Sequence, residues 1–346
     1  PHHFRDPFVF YDQARGCFVM LVTAQRTDYP LAGYGNCLAQ LVSPDLQRWT
    51  LVEPFLIPGF PDAPECPDYF VWNGWHYLIF SNGLQARYRM ARSSHGPWLR
   101  PALDLLDGPW GRVMKTAPYH DNRRIGVAWL GTRAGDADDG KLQWGGHAVF
   151  RELVQQADGT LGSKFVPEMA LPAGAPLSLP IQAMTPGATV EPGRIALDAP
   201  EGLAAAAISG VPHNAHIRLT VAPAPQARRF GLRLRAANGL TGGYPLEIEP
   251  DARRVALYDA ILCPLPALDA PATLEIVLYD DIIDLCLNER HCLINRCPGQ
   301  HGDQLTFFCH NGAAVFSDII ITSLSSVPDW RKSETDGETL RDGGAN

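Results

Sequence analysis

The stretch CPDYFVWNGWHYLIFSNG, residues 66–83, decides the fold class of this chain. A proline-containing start leads into a short strand, a polar turn reverses the chain, and an aromatic and aliphatic strand ends in small polar residues. Two other stretches share this arrangement, RDPFVFYDQARGCFVMLVTAQ from Arg5 and KTAPYHDNRRIGVAWLGT from Lys115. Each is followed by a further strand with a polar tail. A unit of three or four antiparallel strands that repeats in this way is typical of β-propeller blades.

The number of repeats is lower than a closed propeller requires. Propellers close with roughly four to eight blades. Three blades by themselves leave two sheet edges unpaired, and unpaired edges favour aggregation. The sequence therefore predicts either another repeat architecture or a propeller whose N-terminal blades are missing from this chain. On the second interpretation, residues 1–172 form a partial propeller that holds the functional site.

The rest of the chain differs in composition from the repeats. Residues 173–205 are rich in Pro, Gly and Ala, which predicts a linker or strap. Short alternating strands with turn signals between them resume after that, and they predict a β-sandwich over residues 206–326. Residues 327–346 are polar and charged and are expected to form a flexible tail. The fold class is thus all-β, a propeller followed by a C-terminal sandwich.

Charge and composition exclude several classes of protein. The chain has 29 Lys and Arg against 37 Asp and Glu, a net charge of −8, which argues against a nucleic-acid binder. The longest apolar run, about residues 203–208, is far shorter than the roughly 20 residues of a membrane span. The eight cysteines are scattered without a C-x-x-C pair and are interpreted mostly as free thiols. The Cys- and His-rich stretch at 291–310 has no standard zinc spacing, so neither metal nor cofactor is expected.

Two carboxylates are the leading candidates for chemistry. Asp6 and Glu65 both lie at the start of a first strand in the repeat, and blades converge on a central channel. Equivalent positions in successive blades can therefore face one another there. Two convergent carboxylates are what glycoside hydrolysis requires. The alternative is structural, with Asp6 capping a turn and Glu65 pairing with an arginine.

Four segments together resemble glycoside hydrolase family 32, the invertases, inulinases and levanases. They are FRDP at 4–7, ECPD at 65–68, WGG at 144–146 followed by REL at 151–153, and LYDDIIDLCLNERHCLINR at 278–296. Their order and spacing fit the family over about residues 4–324. The resemblance implies a five-bladed propeller joined to a β-sandwich. It also implies that about two blades are absent, among them the one with the family's nucleophile motif, which lies upstream of RDP.

The resemblance assigns the two catalytic roles. It implies that Glu65 is the general acid/base, which protonates the leaving oxygen and then activates water, and that Asp6 stabilises the oxocarbenium-like transition state. The family mechanism is retaining, with a covalent fructosyl-enzyme resolved by water or by another sugar. The nucleophilic aspartate is expected on the absent N-terminal segment.

Five further residues are candidate substrate contacts. Arg5 is expected to anchor the fructosyl unit, Cys66 to pack beside the acid, and Trp144 to wall the pocket or simply to pack in the core. Asp68 is expected to shape the turn or touch substrate, and Lys115 to project into the channel or remain structural.

Several functions stay open at this stage. The first is a β-fructoside hydrolase or a fructosyltransferase of the same family, acting on sucrose, inulin or levan. The second is a propeller that binds fructan without cutting it, and a third, weaker reading is an inverting arabinanase-like enzyme. A fourth is a split enzyme, in which a separate N-terminal fragment or a second copy covers the open blade edges. The expected ligand is a fructose-containing oligo- or polysaccharide, with no nucleic acid and no membrane as partner.

Overall fold

A computed structural model describes residues 3–237 and 239–325 of the chain. Apart from two single-turn 3₁₀ helices, Ala134–Asp136 and Pro167–Met169, the regular structure in these ranges consists of β-strands. None of the helices in this part of the chain is long and apolar enough to cross a membrane. All eight cysteines are free thiols.

Three separate antiparallel sheets form the N-terminal half. The first blade contains β1 (Arg5–Asp12), β2 (Cys17–Gln25), β3 (Asn36–Ser43) and β4 (Thr50–Leu56). The second blade contains β5 (Glu65–Trp72), β6 (Trp75–Asn82) and β7 (Gln85–Ala91). The third blade contains β8 (Gly111–Pro118), β9 (Arg124–Arg133), β10 (Leu142–Gln155) and β11 (Leu161–Lys164). Each blade is an up-and-down meander, as the repeat predicts.

The first strands of the three blades, β1, β5 and β8, lie beside one another. Each has a bulge near its start, where one residue takes a positive φ: 56° at Asp6, 51° at Cys66 and 52° at Val113. A bulge bends a strand and re-aims its side chains. The repeat therefore places the same bulged strand start in each of the three adjacent blades.

Apolar side chains on the second strand of each blade hold neighbouring blades together. Tyr77 and Ile79 of β6 are fully buried with Leu130 of β9 in one core that continues into the C-terminal half. A second, smaller core joins the first two blades through Leu21 of β2 and Phe80 of β6. The alternating pattern of these strands places every second side chain in such a core.

The C-terminal half is built on a continuous 13-stranded sheet. Its strands are β12 (Ala173–Pro176), β13 (Ile181–Ala183), β14 (Ala188–Glu191), β15 (Arg194–Ile208), β16 (Ala215–Pro223), β17 (Arg229–Ala236), β18 (Tyr244–Glu249), β19 (Arg254–Leu257), β20 (Ala260–Leu262), β21 (Ala272–Tyr279), β22 (Ile282–Leu287), β23 (His291–Arg296) and β24 (Gln304–Leu324). The main path runs β20-β19-β18-β17-β24-β16-β21-β22-β23, and β15 pairs with β24.

The long strand β24 folds this sheet onto itself. Its first half pairs with β17 and its second half with β16, with Asn311 at φ 50° between them. The buried rings of Phe307 and Phe316, one from each half, meet edge to face at 5.1 Å. The two halves therefore share an interior, and the prediction of an all-β chain with propeller blades and a sandwich is confirmed. The number of blades in the whole propeller stays a prediction.

The prediction of a linker over residues 173–205 is wrong. This segment forms β12, β13, β14 and most of β15, which pair with β24 or with one another. The four alanines at 204–207 are at most 2% exposed. Small side chains let these strands pack closely without the alternation of apolar and polar residues that marks a half-buried strand. The composition of the segment is therefore the same as that of a linker. The predicted tail, residues 327–346, lies outside the described residues.

A buried arginine joins the two halves of the molecule. Arg151 of β10 is 2% exposed and donates from Nε to Asp107 Oδ2 at 2.8 Å. Its two terminal nitrogens donate to Asp284 of β22 at 2.8 and 2.9 Å. Burial opposes charge on Arg151, but the two carboxylates outweigh it and raise the pKa of Arg151 well above its usual range. The REL and sandwich segments that carry the resemblance therefore meet at this joint.

Candidate active site

The start of β1 and the start of β5 together form the candidate site. Arg5 pairs with Thr23 and Glu65 pairs with Ser81, in each case immediately before the bulge. Arg5 and Glu65 are thus equivalent positions in two blades, and Asp6 is equivalent to Cys66. The predicted juxtaposition of carboxylates is present, but the two residues are offset by one position in the repeat, because the carboxylate is the second residue of RDP and the first residue of ECP.

Arg5 bridges the two carboxylates. Its Nη2 donates to Glu65 Oε1, and its Nε lies 3.7 Å from Asp6 Oδ2. The side chains of Asp6, Glu65 and Arg5 are 26%, 28% and 39% exposed, so the cluster opens to solvent. The hydrogen bond to Glu65 raises the pKa of the Arg5 guanidinium, and His3 Nδ1 lies 3.0 Å from its Nη1. The cluster holds two carboxylates and one guanidinium within reach of an entering ligand.

Asp6 is fixed by contacts from both blades. Its Oδ2 accepts a hydrogen bond from the Cys66 backbone N–H at 3.3 Å and lies 3.4 Å from Thr23 Oγ1. Thr23 also donates to the Pro64 carbonyl at 2.8 Å, which ties β2 to the residue before Glu65. These contacts orient Asp6 toward the junction of the two blades.

Cys66 lies beside Asp6, whose carboxylate accepts a hydrogen bond from the Cys66 backbone N–H. Burial, with the charge of Asp6 as the next cause, raises the pKa of the Cys66 thiol to about 11. The thiol is therefore protonated at neutral pH and does not act as a nucleophile. Cys66 lies at the start of β5, which contacts both β1 and β8.

Asp68 and Lys115 connect the second and third blades. Asp68 is 3% exposed, and its Oδ2 accepts hydrogen bonds from Thr116 N–H at 2.8 Å and Oγ1 at 2.6 Å. Lys115 donates from Nζ to the carbonyls of Cys66 and Pro67. These contacts favour the structural interpretation of Asp68. Lys115 Nζ also lies 4.9 Å from the centre of the Phe8 ring, so this side chain reaches all three inner strands.

Trp144 lies apart from the carboxylate pair. Its side chain is 72% exposed, and its ring centre lies 5.0 Å from that of Trp129 in β9. Within the described residues, no hydrogen bond or ring contact joins Trp144 to Asp6 or Glu65. The core alternative for Trp144 is wrong, because the side chain is mostly in solvent. A role in a sugar pocket stays a prediction.

Sequence reasoning missed three residues that build the site. Thr23 supports Asp6, Thr116 fixes Asp68, and Arg124 donates from Nε to Thr116 Oγ1 at 2.7 Å. For Thr23 a usable signal was present, because it is a small polar residue near the end of a second strand and lies opposite the start of the first strand. Within residues 3–237 and 239–325, no group of three or more His, Cys, Asp or Glu residues could hold a metal ion.

Comparisons with known proteins give a match at the level of structure only. No protein-family model and no curated protein sequence matches the chain. It is similar to sucrose-6-phosphate hydrolase from Lactobacillus gasseri, with 16% identity, 94% of this chain and 68% of that chain covered, and a TM-score of 0.62. It is similar to exo-inulinase from Aspergillus awamori, with 14% identity, the same coverages and a TM-score of 0.64.

A third similar structure is fructan 1-exohydrolase IIa from Cichorium intybus, at 15% identity and a TM-score of 0.61. In that case 94% of this chain and 74% of the other are covered. At such identities the likeness establishes the fold and not the activity. The resemblance to glycoside hydrolase family 32 that the motifs carry is thus confirmed for the fold: this chain has the blade-and-sandwich architecture of these proteins.

Proposed function

We propose that the protein is a β-fructoside-acting glycosidase that works by the retaining double displacement. The observation that carries this proposal is the cluster of Asp6, Glu65 and Arg5 where two blades meet. A half-buried pair of carboxylates at one opening is the chemical requirement for glycoside cleavage. The structural neighbours are named as a sucrose-6-phosphate hydrolase, an exo-inulinase and a fructan 1-exohydrolase. These names support a fructosyl unit as the group that this protein recognises.

The proposed mechanism assigns one task to each member of the cluster. Glu65 transfers a proton to the leaving oxygen and then takes one from water or from an acceptor sugar. Glu65 is ion-paired with Arg5. In the proposed mechanism, substrate hydroxyls take over the hydrogen bonds of Arg5 when Glu65 delivers its proton. Asp6 accepts hydroxyl hydrogen bonds and stabilises positive charge on the sugar ring.

The nucleophile belongs to a segment outside this sequence in our proposal. Among the described residues, Asp6 and Glu65 are the carboxylates that Arg5 brings together, and both have other tasks. The first blade exposes Tyr11 on β1 and Leu51 on β4, at 52% and 64%, and the third blade exposes Trp144. Further blades on an N-terminal fragment, or a second copy, would cover these faces. A clean monomer in sedimentation would count against such a partner.

The test is release of fructose from sucrose, inulin and levan by the purified chain, alone and with the upstream segment supplied. Glu65→Gln should abolish release, and Asp6→Asn should lower it by about 10²-fold or more, the usual size of such contributions. Glu53→Gln is the matched control, because Glu53 is 95% exposed on β4. If Glu65→Gln releases fructose at the unmodified rate, the assignment is wrong.

The second candidate is a non-catalytic fructan-binding protein. It is favoured by the Arg5–Glu65 ion pair, because that contact engages the carboxylate that would have to act as the acid. Titration with inulin separates the two candidates. Binding that weakens in Arg5→Met, with no fructose released even when the upstream segment is present, would identify a binding protein. Transfer of fructose to added sucrose, seen as longer oligosaccharides, would instead identify a fructosyltransferase.

A further inference from the structure

Lys115 lies one step along the inner strands from the positions that form the candidate site. Each inner strand pairs with its neighbour just before its bulge and again three residues later. The residues that pair first after the bulge are Phe8 in β1, Asp68 in β5 and Lys115 in β8. Lys115 is therefore the third blade's counterpart of Phe8 and Asp68, in the layer next to Arg5 and Glu65.

The ammonium group of Lys115 contacts both of the other blades. Its Nζ donates to the carbonyl oxygens of Pro67 at 2.5 Å and Cys66 at 3.4 Å, which belong to β5. It also lies 4.9 Å from the centre of the Phe8 ring of β1, whose face attracts a cation. In the described part of the chain, the hydrogen bonds of Nζ go to these backbone carbonyls and none goes to a carboxylate. The charge of Lys115 therefore acts on the backbone of the second blade.

The two carbonyls that Lys115 contacts belong to the bulge of β5. The register of the β5–β6 ladder passes from Glu65 to Asp68, and Cys66 and Pro67 have no pairing partner in it. A backbone carbonyl that a bulge takes out of the ladder needs a donor from elsewhere. Lys115 supplies that donor to both carbonyls.

Contacts from two blades fix the backbone of Cys66. This residue has a φ of 51°, in the left-handed region that a side chain with a Cβ disfavours. Its N–H donates to Asp6 Oδ2 of the first blade at 3.3 Å, and its carbonyl accepts from Lys115 of the third blade. Such a conformation persists only where the surrounding structure enforces it. Since Glu65 directly precedes Cys66, the same contacts fix the direction in which the Glu65 side chain leaves β5.

We infer that Lys115 is a positioning residue, whose ammonium group fixes the bulge at Cys66 and so keeps the Glu65 carboxylate in the cluster with Arg5 and Asp6. The inference rests on the proposed function, which makes Glu65 the general acid/base. Lys115 acts through Cys66 and not by contact with the sugar. A displacement of a catalytic group by about 1 Å can cost about 10²-fold in rate. Loss of Lys115 should therefore lower kcat, while the KM for the sugar changes little.

Fructose release by the full chain, with the upstream segment supplied, tests the effect on catalysis. Lys115→Met removes the charge and the donors at nearly the same length, and it should lower kcat for inulin about 10²-fold and leave KM within about twofold. Lys115→Arg keeps the charge and the donors and should recover most of that loss. Lys141→Met is the control for net charge, because Lys141 is exposed, and it should match the unmodified chain.

Hydrogen exchange of the Cys66 amide tests the contact with the bulge and requires no activity. In Lys115→Met this amide should exchange at least about tenfold faster, the factor expected for a lost charge-assisted hydrogen bond, while the amides of β2 and β3 keep their rates. The melting temperature should fall by no more than about 4 °C, so that a general loss of structure is excluded. If Lys115→Met does not fold, Lys115→Gln, which is neutral and keeps an amide donor, replaces it with the same expected directions.

The two measurements separate this inference from the proposed function. Unchanged exchange at Cys66 in Lys115→Met overturns the inference, and so does a normal kcat in a variant whose exchange has risen. A raised KM with an unchanged kcat would identify Lys115 as a sugar contact and also overturns it. If the unmodified chain with its upstream segment releases no fructose, the proposed function is wrong, and exchange at Cys66 still decides whether Lys115 fixes the bulge.

Discussion

Replacement of Arg151 by Met should destabilise the protein more than any surface substitution. The guanidinium is 2% exposed and is shared between Asp107, which is fully buried, and Asp284 of the sandwich. Removing it leaves two buried carboxylates without their common counter-charge. Breaking a buried ion pair in this way costs about 3–5 kcal/mol. We expect that loss in the free energy of unfolding at pH 7.

The pH dependence of this variant identifies the cause. Burial, with the charge of Asp107 as a further contribution, raises the pKa of Asp284 to about 6 even with Arg151 in place. Without Arg151, Asp284 should bind a proton in the folded state at a higher pH than in the unfolded state, where the pKa of an aspartate is near 3.9. Stability of the variant should therefore recover as the pH falls from 7 to 5.

Urea unfolding followed by tryptophan fluorescence measures both effects. Arg48→Met is the control, because Arg48 is 88% exposed and its pair with Asp45 should contribute at most about 1 kcal/mol. Asp284→Asn should be less costly in the Arg151→Met background than alone, because it then removes an orphaned charge. A loss no larger than that of Arg48→Met, or strictly additive losses, would refute the buried-joint argument.

Three further predictions concern stability. Burial, with the charge of Arg290 as the second cause, lowers the pKa of His291 to about 4. The free energy of unfolding should therefore fall by about 3 kcal/mol as the pH drops from about 6.5 to about 4, and His291→Gln should flatten this slope in melts at different pH. Thr116→Val should cost about 1–3 kcal/mol in urea unfolding, because it removes the hydroxyl that bonds buried Asp68; a neutral effect would contradict this. Gly159→Ala should cost about 2–4 kcal/mol, because φ is +87° and a Cβ would lie within 2.3 Å of the Trp75 ring; an unchanged melting temperature would contradict that account.

The pairing of Asp6 with Glu65 shows where sequence reasoning stops. Both residues are recognisable in the sequence, one in FRDP and one in ECPD, and the shared proline already aligns Arg5 with Glu65 and Asp6 with Cys66. The sequence does not show that Arg5 bridges the two carboxylates, because that contact joins side chains of two blades that lie 60 residues apart in the chain.

The sequence by itself determined the all-β class, the three blade repeats and the motifs that meet at the site and at the joint. These features are local, because strand alternation and turn residues report on a few neighbouring positions. Only the tertiary structure decided that residues 173–205 are strands and that Arg151 carries two carboxylates from distant segments. It also decided that Trp144 faces solvent. Those outcomes depend on which surfaces meet across more than a hundred residues, and no local pattern encodes that pairing.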